Sequence, residues 1–332
     1  MENNTPEEIW NEIKCSKNIL MTLHAMPDGD SLGSCTAFKR VIEQNTKATV
    51  TLVSHDPISE SMSLMPLTKE VQFGKDIADL NLNAFDLFLV LDTSEVSRLG
   101  KNKPEFKIPE NLKTINIDHH HTNPYFGQIN YIRSELPSCC SVIFSIFRDL
   151  KIKIDKETAT RLLLGICTDT GFFTYQNSEK AIEEASLLIG LGAEYVKDIA
   201  SPILYNQPLR LKKYFGLLFT KLRINKEKNF AYSILSQEEI KPFNLNMAEI
   251  RLGINEMSLI GGFDFVFNLI EIEDGIKGSF RSTKGINTSI FSKALGGGGH
   301  KAASAFILPK MPLEKAEKLV LETIKKSKII KY

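Results

Sequence analysis

Three apolar runs in this sequence each stop at a residue that can do chemistry. Asn18–Leu23 is followed by His24, Asp86–Leu91 by Asp92, and Lys113–Ile117 by Asp118. A fourth run, Ala48–Val53, lies between the first two. Runs this short and apolar, separated by helical stretches, read as buried strands of a parallel sheet. In open sheets of that kind, ligands bind outside the carboxyl ends of the strands. One edge of one sheet is therefore expected to gather an imidazole and two carboxylates.

The intervening segments fit. Glu7–Lys14 reads as a short surface-packed helix carrying the only tryptophan, Trp10. Ser31 opens a helical pattern through Leu32, Cys35, Phe38, Val41 and Ile42. Ser138–Leu150, Lys156–Cys167, Ser178–Leu191 and Ala193–Ala200 also read as helices. Gln207–Leu222 is a longer amphipathic pattern with Arg210, Lys212 and Lys213 on its polar side. Beyond it, Asn229–Leu235, Asp264–Ile272 and Ile276–Arg281 read as strands with helices between, and Asp274-Gly275 as a hairpin turn. The expected fold class is α/β. An N-terminal parallel-sheet domain with flanking helices covers 1–205, a linker helix 206–224, and a smaller C-terminal α/β domain 225–332. Lys325–Tyr332 reads as a mildly basic, solvated tail.

Composition narrows the function. Lys plus Arg is 41 against Asp plus Glu 40, a formal charge of +1. A protein that coats duplex nucleic acid shows a basic domain, so this balance argues against that class. It does not exclude a small pocket for one or two phosphates. The 5 cysteines are odd in number and irregularly spaced, which argues against a disulfide framework and a zinc ribbon. No apolar run reaches the roughly 18 residues of a membrane span, and MENNTPEEIW lacks the pattern of a secretory signal. The expected setting is the cytoplasm, with no membrane partner.

The 6 histidines are unevenly placed: His24, His55, His119, His120, His121 and His300. In His24-Ala-Met-Pro-Asp28-Gly-Asp30-Ser31, the proline and glycine tighten the turn so that carboxylates can converge. Carboxylates at that density repel unless a cation neutralises them. Alone, the stretch reads equally as a polar turn with Asp30 or Ser31 capping the next helix. Asp92-Thr93-Ser94 reads as a ligand or a turn. Arg98 reads as a phosphate ligand or a surface partner of Glu95. Asp169, in Thr168-Asp169-Thr170-Gly171, closes an apolar helix.

Together, His24, Asp28, Asp30, Asp92, His119 and Asp169 supply four carboxylates and two imidazoles. That suffices for two six-coordinate divalent ions with a shared carboxylate or water. Oxygen and nitrogen donors without thiolate suit Mn²⁺, or Mg²⁺ in places, better than zinc. Two ions about 3.5–4 Å apart are a standard device for phosphoryl displacement.

The set HAMPDGDS, LVLDTS, NIDHHHTN and CTDTGFF resembles the four motifs of the DHH phosphoesterase superfamily. SFRST and GGGGHKAASAF resemble its DHHA1 domain. The resemblance covers essentially the whole chain. Its order and spacing fit the compact NrnA-type branch, oligoribonucleases that are also pAp phosphatases. It implies that Asp118 orients a neighbouring histidine, that His119 is a metal ligand, and that His120 faces the scissile phosphate. It implies substrate binding by Arg281 and by Gly296, Gly297, Gly298, Gly299 and His300; Ser282, next to Arg281, and Arg98 in the first domain are expected as further substrate contacts. It also implies a homodimer. Glycines at Gly296–Gly299 let backbone N–H groups approach a phosphate, and Arg281 offers a bidentate fork.

The sequence departs from the family at Leu136-Pro137-Ser138-Cys139-Cys140-Ser141, where relatives carry a stretch like Ala-Ser-Ser-Thr-x-Glu. The glutamate is missing, and the cysteines are expected to be buried at a helix start. His121 is assigned an outer role, and His55 a surface loop. The expected activity is Mn²⁺-dependent hydrolysis of short oligoribonucleotides, linear dinucleotides or pAp, with the substrate held in a cleft between the domains. The alternatives are cyclic di-AMP hydrolysis and a non-catalytic nucleotide-binding module. The second of these requires the loss of a metal ligand, and none is lost. Pyrophosphate hydrolysis sits poorly with the GGGGH motif.

Overall fold

The computed structural model describes residues 3–63, 65–100, 107–174, 178–328 and 330–331. The chain divides into two compact units, Met1–Asn206 and Gln207–Tyr332.

The first unit is built on strands β1 (Asn18–Thr22), β2 (Thr49–Ser54), β3 (Gln72–Phe73), β4 (Leu87–Leu91), β5 (Lys113–Asp118) and β6 (Ile129–Ile132). Their order is β3-β2-β1-β4-β5-β6, and every pairing is parallel. The chain builds outward from β1 to β3, then returns to the other side of β1 and builds outward again from β4. Strand order thus reverses between β1 and β4, which is where open α/β sheets bind ligands. β4 is buried along its whole length, as a central strand covered on both faces should be. β3 and β6 are short edge strands that the sequence pattern does not announce.

The helices of this unit are α1 (Pro6–Cys15), α2 (Gly29–Asn45), a single turn α3 (Glu60–Ser63), α4 (Cys139–Asp149), α5 (Lys156–Asp169) and α6 (Ser178–Gly190). Trp10 is half-buried against the core. The expected helix at Ala193–Ala200 is a π-helix, Tyr195–Tyr205, with Pro202 inside it. Helices α2 and α5 pack through glycines: a Cβ on Gly33 would lie 2.4 Å from the Arg161 carbonyl oxygen.

The second unit holds β7 (Arg223–Asn225), β8 (Phe230–Leu235), β9 (Phe265–Ile272), β10 (Gly275–Ser282), β11 (Gly298–Gly299) and β12 (Ala303–Leu308) in the order β11-β12-β10-β9-β8-β7. Only β8 and β9 pair in parallel. The β9–β10 turn falls on Glu273-Asp274, one residue earlier than expected, with Gly275 opening β10 at φ +156°. Helices α7 (Leu209–Thr220), α8 (Gln237–Ile240), α9 (Met247–Ser258), α10 (Ser289–Ala294) and α11 (Leu313–Lys326) complete it. One face carries an aromatic core of Phe230, Phe265, Phe267, Phe280 and Phe291. The other buries Val266 and Ile270 beneath α7 and α9. The helix read as a linker is therefore α7, part of the second unit, with Leu211, Tyr214, Phe215 and Leu218 in its core. The expected tail begins inside α11; positions 329 and 332 lie outside the described residues.

Candidate metal centre

His24 follows β1, Asp92 follows β4 and Asp118 ends β5, so three neighbouring strands deliver them to the carboxyl edge at the switch point. Asp92 sits in the left-handed region at φ +56° and is 3% exposed. Its Oδ2 lies 3.4 Å from His24 Nε2, and its Oδ1 lies 3.5 Å from His119 Nε2. His24 Nε2 is also 3.7 Å from Asp28 Oδ1. His119 Nε2 is 3.5 Å from Asp169 Oδ2 and 4.0 Å from Asp30 Oδ2.

Two groups of ligand atoms emerge, His24–Asp28–Asp92 and Asp30–His119–Asp169, each within 4.8 Å. A third holds Asp92, Asp118, His119 and His120. The six side chains singled out as ligands are thus brought together, with Asp92 touching both first groups.

Helix ends explain how the carboxylates are held. Asp28, rather than Asp30 or Ser31, caps α2 by accepting from the Asp30 and Ser31 backbone N–H groups at 3.2 and 3.1 Å. Asp30 is buried in the first turn and accepts from the N–H groups of Cys139 at 2.6 Å and Cys140 at 2.9 Å. The N-terminus of α4 therefore points at Asp30, where donors and helix dipole favour an anion. The Cys139-Cys140 departure leaves this contact intact, because only backbone donates. Both cysteines are buried, as expected. The Ser141 hydroxyl donates to Glu184, a buried carboxylate delivered by α6. Asp169 ends α5, at the negative pole of its helix, where an unshared negative charge is unfavourable.

The electrostatics describe a cation-deficient site. Burial and then the Asp92 charge push the Asp30 carboxyl up to about 7. Burial acts the same way on Asp92, but His119 and His24 hold it far below the usual carboxylate range. Burial would lower His24, yet Asp28 and Asp92 outweigh it and raise the imidazole to about 10. His119 is likewise raised well above its usual value against burial, by Asp92, Asp169 and Asp30. Protons stand where charge is needed, and the oxygen and nitrogen donors fit divalent cations.

Asp118 is fully buried and its roles are divided between its oxygens. Oδ1 accepts from the His119 backbone N–H at 2.8 Å and lies 2.6 Å from His120 Nδ1; Oδ2 accepts from Asn123 Nδ2 at 2.6 Å. A buried carboxylate against Nδ1 fixes the orientation of the ring and turns Nε2 away from it. Asn123 also donates to Asn116 Oδ1 at 2.8 Å, tying this loop to β5.

Arg98 does not pair with Glu95 in any contact described. Its guanidinium lies 3.0 Å from His24 Nδ1, at the border of the site. His121 is exposed. His55 is half-buried rather than a surface residue and lies 3.2 Å from Asp56, whose other oxygen accepts from the Met26 N–H at 2.8 Å. Asp56 therefore braces the loop that carries Asp28, a role with no motif to reveal it.

Among the expected substrate residues of the second unit, Arg281 donates through Nε to Asn255 Oδ1 at 3.0 Å and through NH1 to the Phe280 carbonyl at 2.8 Å. Ser282 Oγ accepts from the Ile286 N–H at 2.7 Å. Three of the four glycines are needed by the backbone. Gly296 and Gly299 have φ of +81° and +126°, and a Cβ on Gly297 would lie 2.2 Å from the Ala305 carbonyl oxygen. Gly298 alone has ordinary φ and open space around the missing Cβ. His300 is exposed.

Gly165 gives a packing test of the site. A Cβ there would lie 2.3 Å from Cys140 Sγ and 2.4 Å from Asp30 Oδ1. Gly165→Ala should cost about 1–3 kcal/mol by overpacking and weaken divalent-cation binding at this cluster by displacing Asp30. Thermal melting and metal titration check this, with Gly190→Ala as a control because nothing lies near its missing Cβ. Unchanged melting and affinity in Gly165→Ala contradict the packing.

Residues 18–166 match the DHH family, N-terminal domain, and residues 227–327 match the DHHA1 domain. The chain belongs to the DHH phosphoesterase superfamily, with DHHA1 as its second domain. It is 26% identical to the bifunctional oligoribonuclease and PAP phosphatase NrnA of Thermus thermophilus, over 98% of this chain and 97% of that one. It is 25% identical to the cyclic-di-AMP phosphodiesterase PdeA of Listeria monocytogenes, over 93% of this chain but 47% of that longer protein. In fold it is similar to an exopolyphosphatase-related protein from Bacteroides fragilis, with a TM-score of 0.87, 22% identity and coverage of 97% and 95%.

Proposed function

We propose that this enzyme hydrolyses phosphate esters of short nucleotides, namely oligoribonucleotides a few residues long, linear dinucleotides and pAp, with two Mn²⁺ ions. The observation that carries the reading is the convergence of His24, Asp28, Asp30, Asp92, His119 and Asp169 at the switch point of the sheet. The relatives named as oligoribonuclease and PAP phosphatase match this chain nearly end to end, which favours their substrates over cyclic di-AMP.

His24, Asp28 and Asp92 would hold one cation, and Asp30, His119 and Asp169 the other, with Asp92 contacting both. Bound there, the cations neutralise phosphate charge and acidify the attacking water. The chain supplies the rest. Asp118 holds His120 by Nδ1, so Nε2 is the nitrogen presented to the scissile phosphate, as proton donor to the leaving oxygen or as a charge on the phosphoryl oxygens. Arg281, Ser282, the glycine loop Gly296–Gly299 and His300 capture the distal nucleotide, and Arg98 adds a phosphate contact beside His24. Few phosphates need partners, so a chain of formal charge +1 can handle nucleotides without a basic surface.

His120→Ala should lower kcat by about 10²–10⁴ with both metals retained. Loss of metal in that variant means that His120 is a ligand and that the roles of His119 and His120 are exchanged. The direct test of the function is product analysis with Mn²⁺ and a panel of pAp, pApA, a short RNA and cyclic di-AMP. Hydrolysis of cyclic di-AMP alone contradicts the substrate assignment.

A further inference from the structure

Helix α6 buries Ala181, Glu184, Ala185 and Leu188. Three of these are apolar, as the inward stripe of a packed helix should be. The fourth is a carboxylate, 5% exposed, at a position where packing alone calls for an apolar side chain. A carboxylate buried among apolar groups is costly unless hydrogen bonds hold it. Burial raises the Glu184 pKa, and the Ser141 hydroxyl is the first influence that lowers it. What Glu184 does is therefore to be sought at Ser141.

Ser141 lies in the first turn of α4 and is fully buried. An ionised carboxylate can only accept, so the Ser141 hydroxyl donates to Glu184. The Ser141 oxygen then accepts from the Ser138 hydroxyl at 3.2 Å. The Ser138 oxygen in turn accepts from the Ser141 backbone N–H at 3.0 Å, which makes Ser138 the cap of α4. One carboxylate thus sets the direction of both hydroxyls and leaves the cap oxygen facing the helix. The next backbone donors, at Cys139 and Cys140, go to Asp30 Oδ2 and Oδ1. Both Asp30 oxygens are therefore held by the turn that Glu184 anchors. Without that acceptor, a helical serine turns its hydroxyl to the carbonyl four residues back, here that of Pro137, and bends the turn.

We propose that Glu184 is a positioning residue, which through Ser141 and Ser138 sets the α4 turn that holds Asp30 for its cation. The inference rests on the reading that Asp30, with His119 and Asp169, ligates a divalent ion. Glu184 touches neither ion nor substrate and acts only through the hydroxyl relay.

The test is Mn²⁺ titration of the chelator-treated full chain by calorimetry, with amide hydrogen exchange on the same metal-free samples. Glu184→Leu completes the apolar stripe and removes the acceptor. It should weaken one of the two Mn²⁺ binding steps by about 10- to 100-fold, the range for groups that hold a metal ligand, and leave the other unchanged. The Cys139 and Cys140 amides should lose protection while those of β8 and β9 keep theirs. Glu184→Gln, which keeps an accepting oxygen, should restore both. Ser141→Ala breaks the relay from its other end and should give the same loss, with no further loss when combined with Glu184→Leu; it decides the matter if Glu184→Leu does not fold. Unchanged affinities, equal weakening of both steps, additive losses, or protection lost throughout the chain overturn the proposal and leave the metal reading standing. Wild type that binds no Mn²⁺ contradicts the metal reading, and the proposal with it.

Discussion

Asp92→Ala should abolish turnover while leaving the fold intact. Asp92 is the carboxylate within 3.5 Å of both His24 and His119, and so it belongs to one ligand group and touches the other. Removing it deprives both proposed cations of a ligand at once. The expected loss is at least about three orders of magnitude, the upper range for removing one main electrostatic stabiliser. The protein should still fold, because the variant takes a negative charge out of a crowded cluster. Alanine at φ +56° carries a backbone cost of roughly 1–2 kcal/mol, so Asp92→Asn is the cleaner companion: asparagine tolerates that conformation and keeps the shape. Normal activity in either variant sinks the two-metal assignment, and metal content measured on the same samples locates the cause.

Arg281→Ala should have the second largest effect, expressed in KM. The guanidinium is held by Asn255 and by the Phe280 carbonyl, so it is oriented before substrate arrives. Losing one charged hydrogen-bonding group costs about 1.5–3 kcal/mol, which is roughly a 10- to 150-fold rise in KM for pAp and short RNA. Metal occupancy should stay full, because Arg281 and the ligand cluster belong to different units. Bis-p-nitrophenyl phosphate has no distal nucleotide, so its hydrolysis should suffer much less. Equal losses on both substrates mean that Arg281 acts in the chemistry or in the fold.

The central strands and the ligand cluster were legible for one reason. Apolar runs that end abruptly at His24, Asp92 and Asp118 reveal both the strand and its functional end. The edges were not: β3 has two residues and β6 four, and neither has enough alternation to stand out from its polar surroundings. The α11 helix is legible in the recurrence of Ala316, Val320 and Ile324 every four residues, although no motif marks it.

In the site, the ligands could be read, while what holds them could not. The donors to Asp30 are backbone N–H groups 109 and 110 positions away, and a backbone donor leaves no mark on the sequence. Asn123 stood inside NIDHHHTN, five residues after Asp118, yet its role depends on a loop closing onto Asp118 and Asn116. Gly165 looks like any helix glycine until α2 is packed beside it. Glu184 reaches Ser141 from another helix, 43 positions away, a contact that no motif announces.

Metal-dependent product formation tests the account most directly. Chelator-treated protein is titrated with Mn²⁺ and then given pAp and pApA, with the products resolved by chromatography. The account predicts binding of two Mn²⁺ per chain, no turnover before metal is added, and release of phosphate and AMP from pAp and of AMP from pApA afterwards. Hydrolysis that persists without metal, or its absence from both substrates at full Mn²⁺ occupancy, contradicts it.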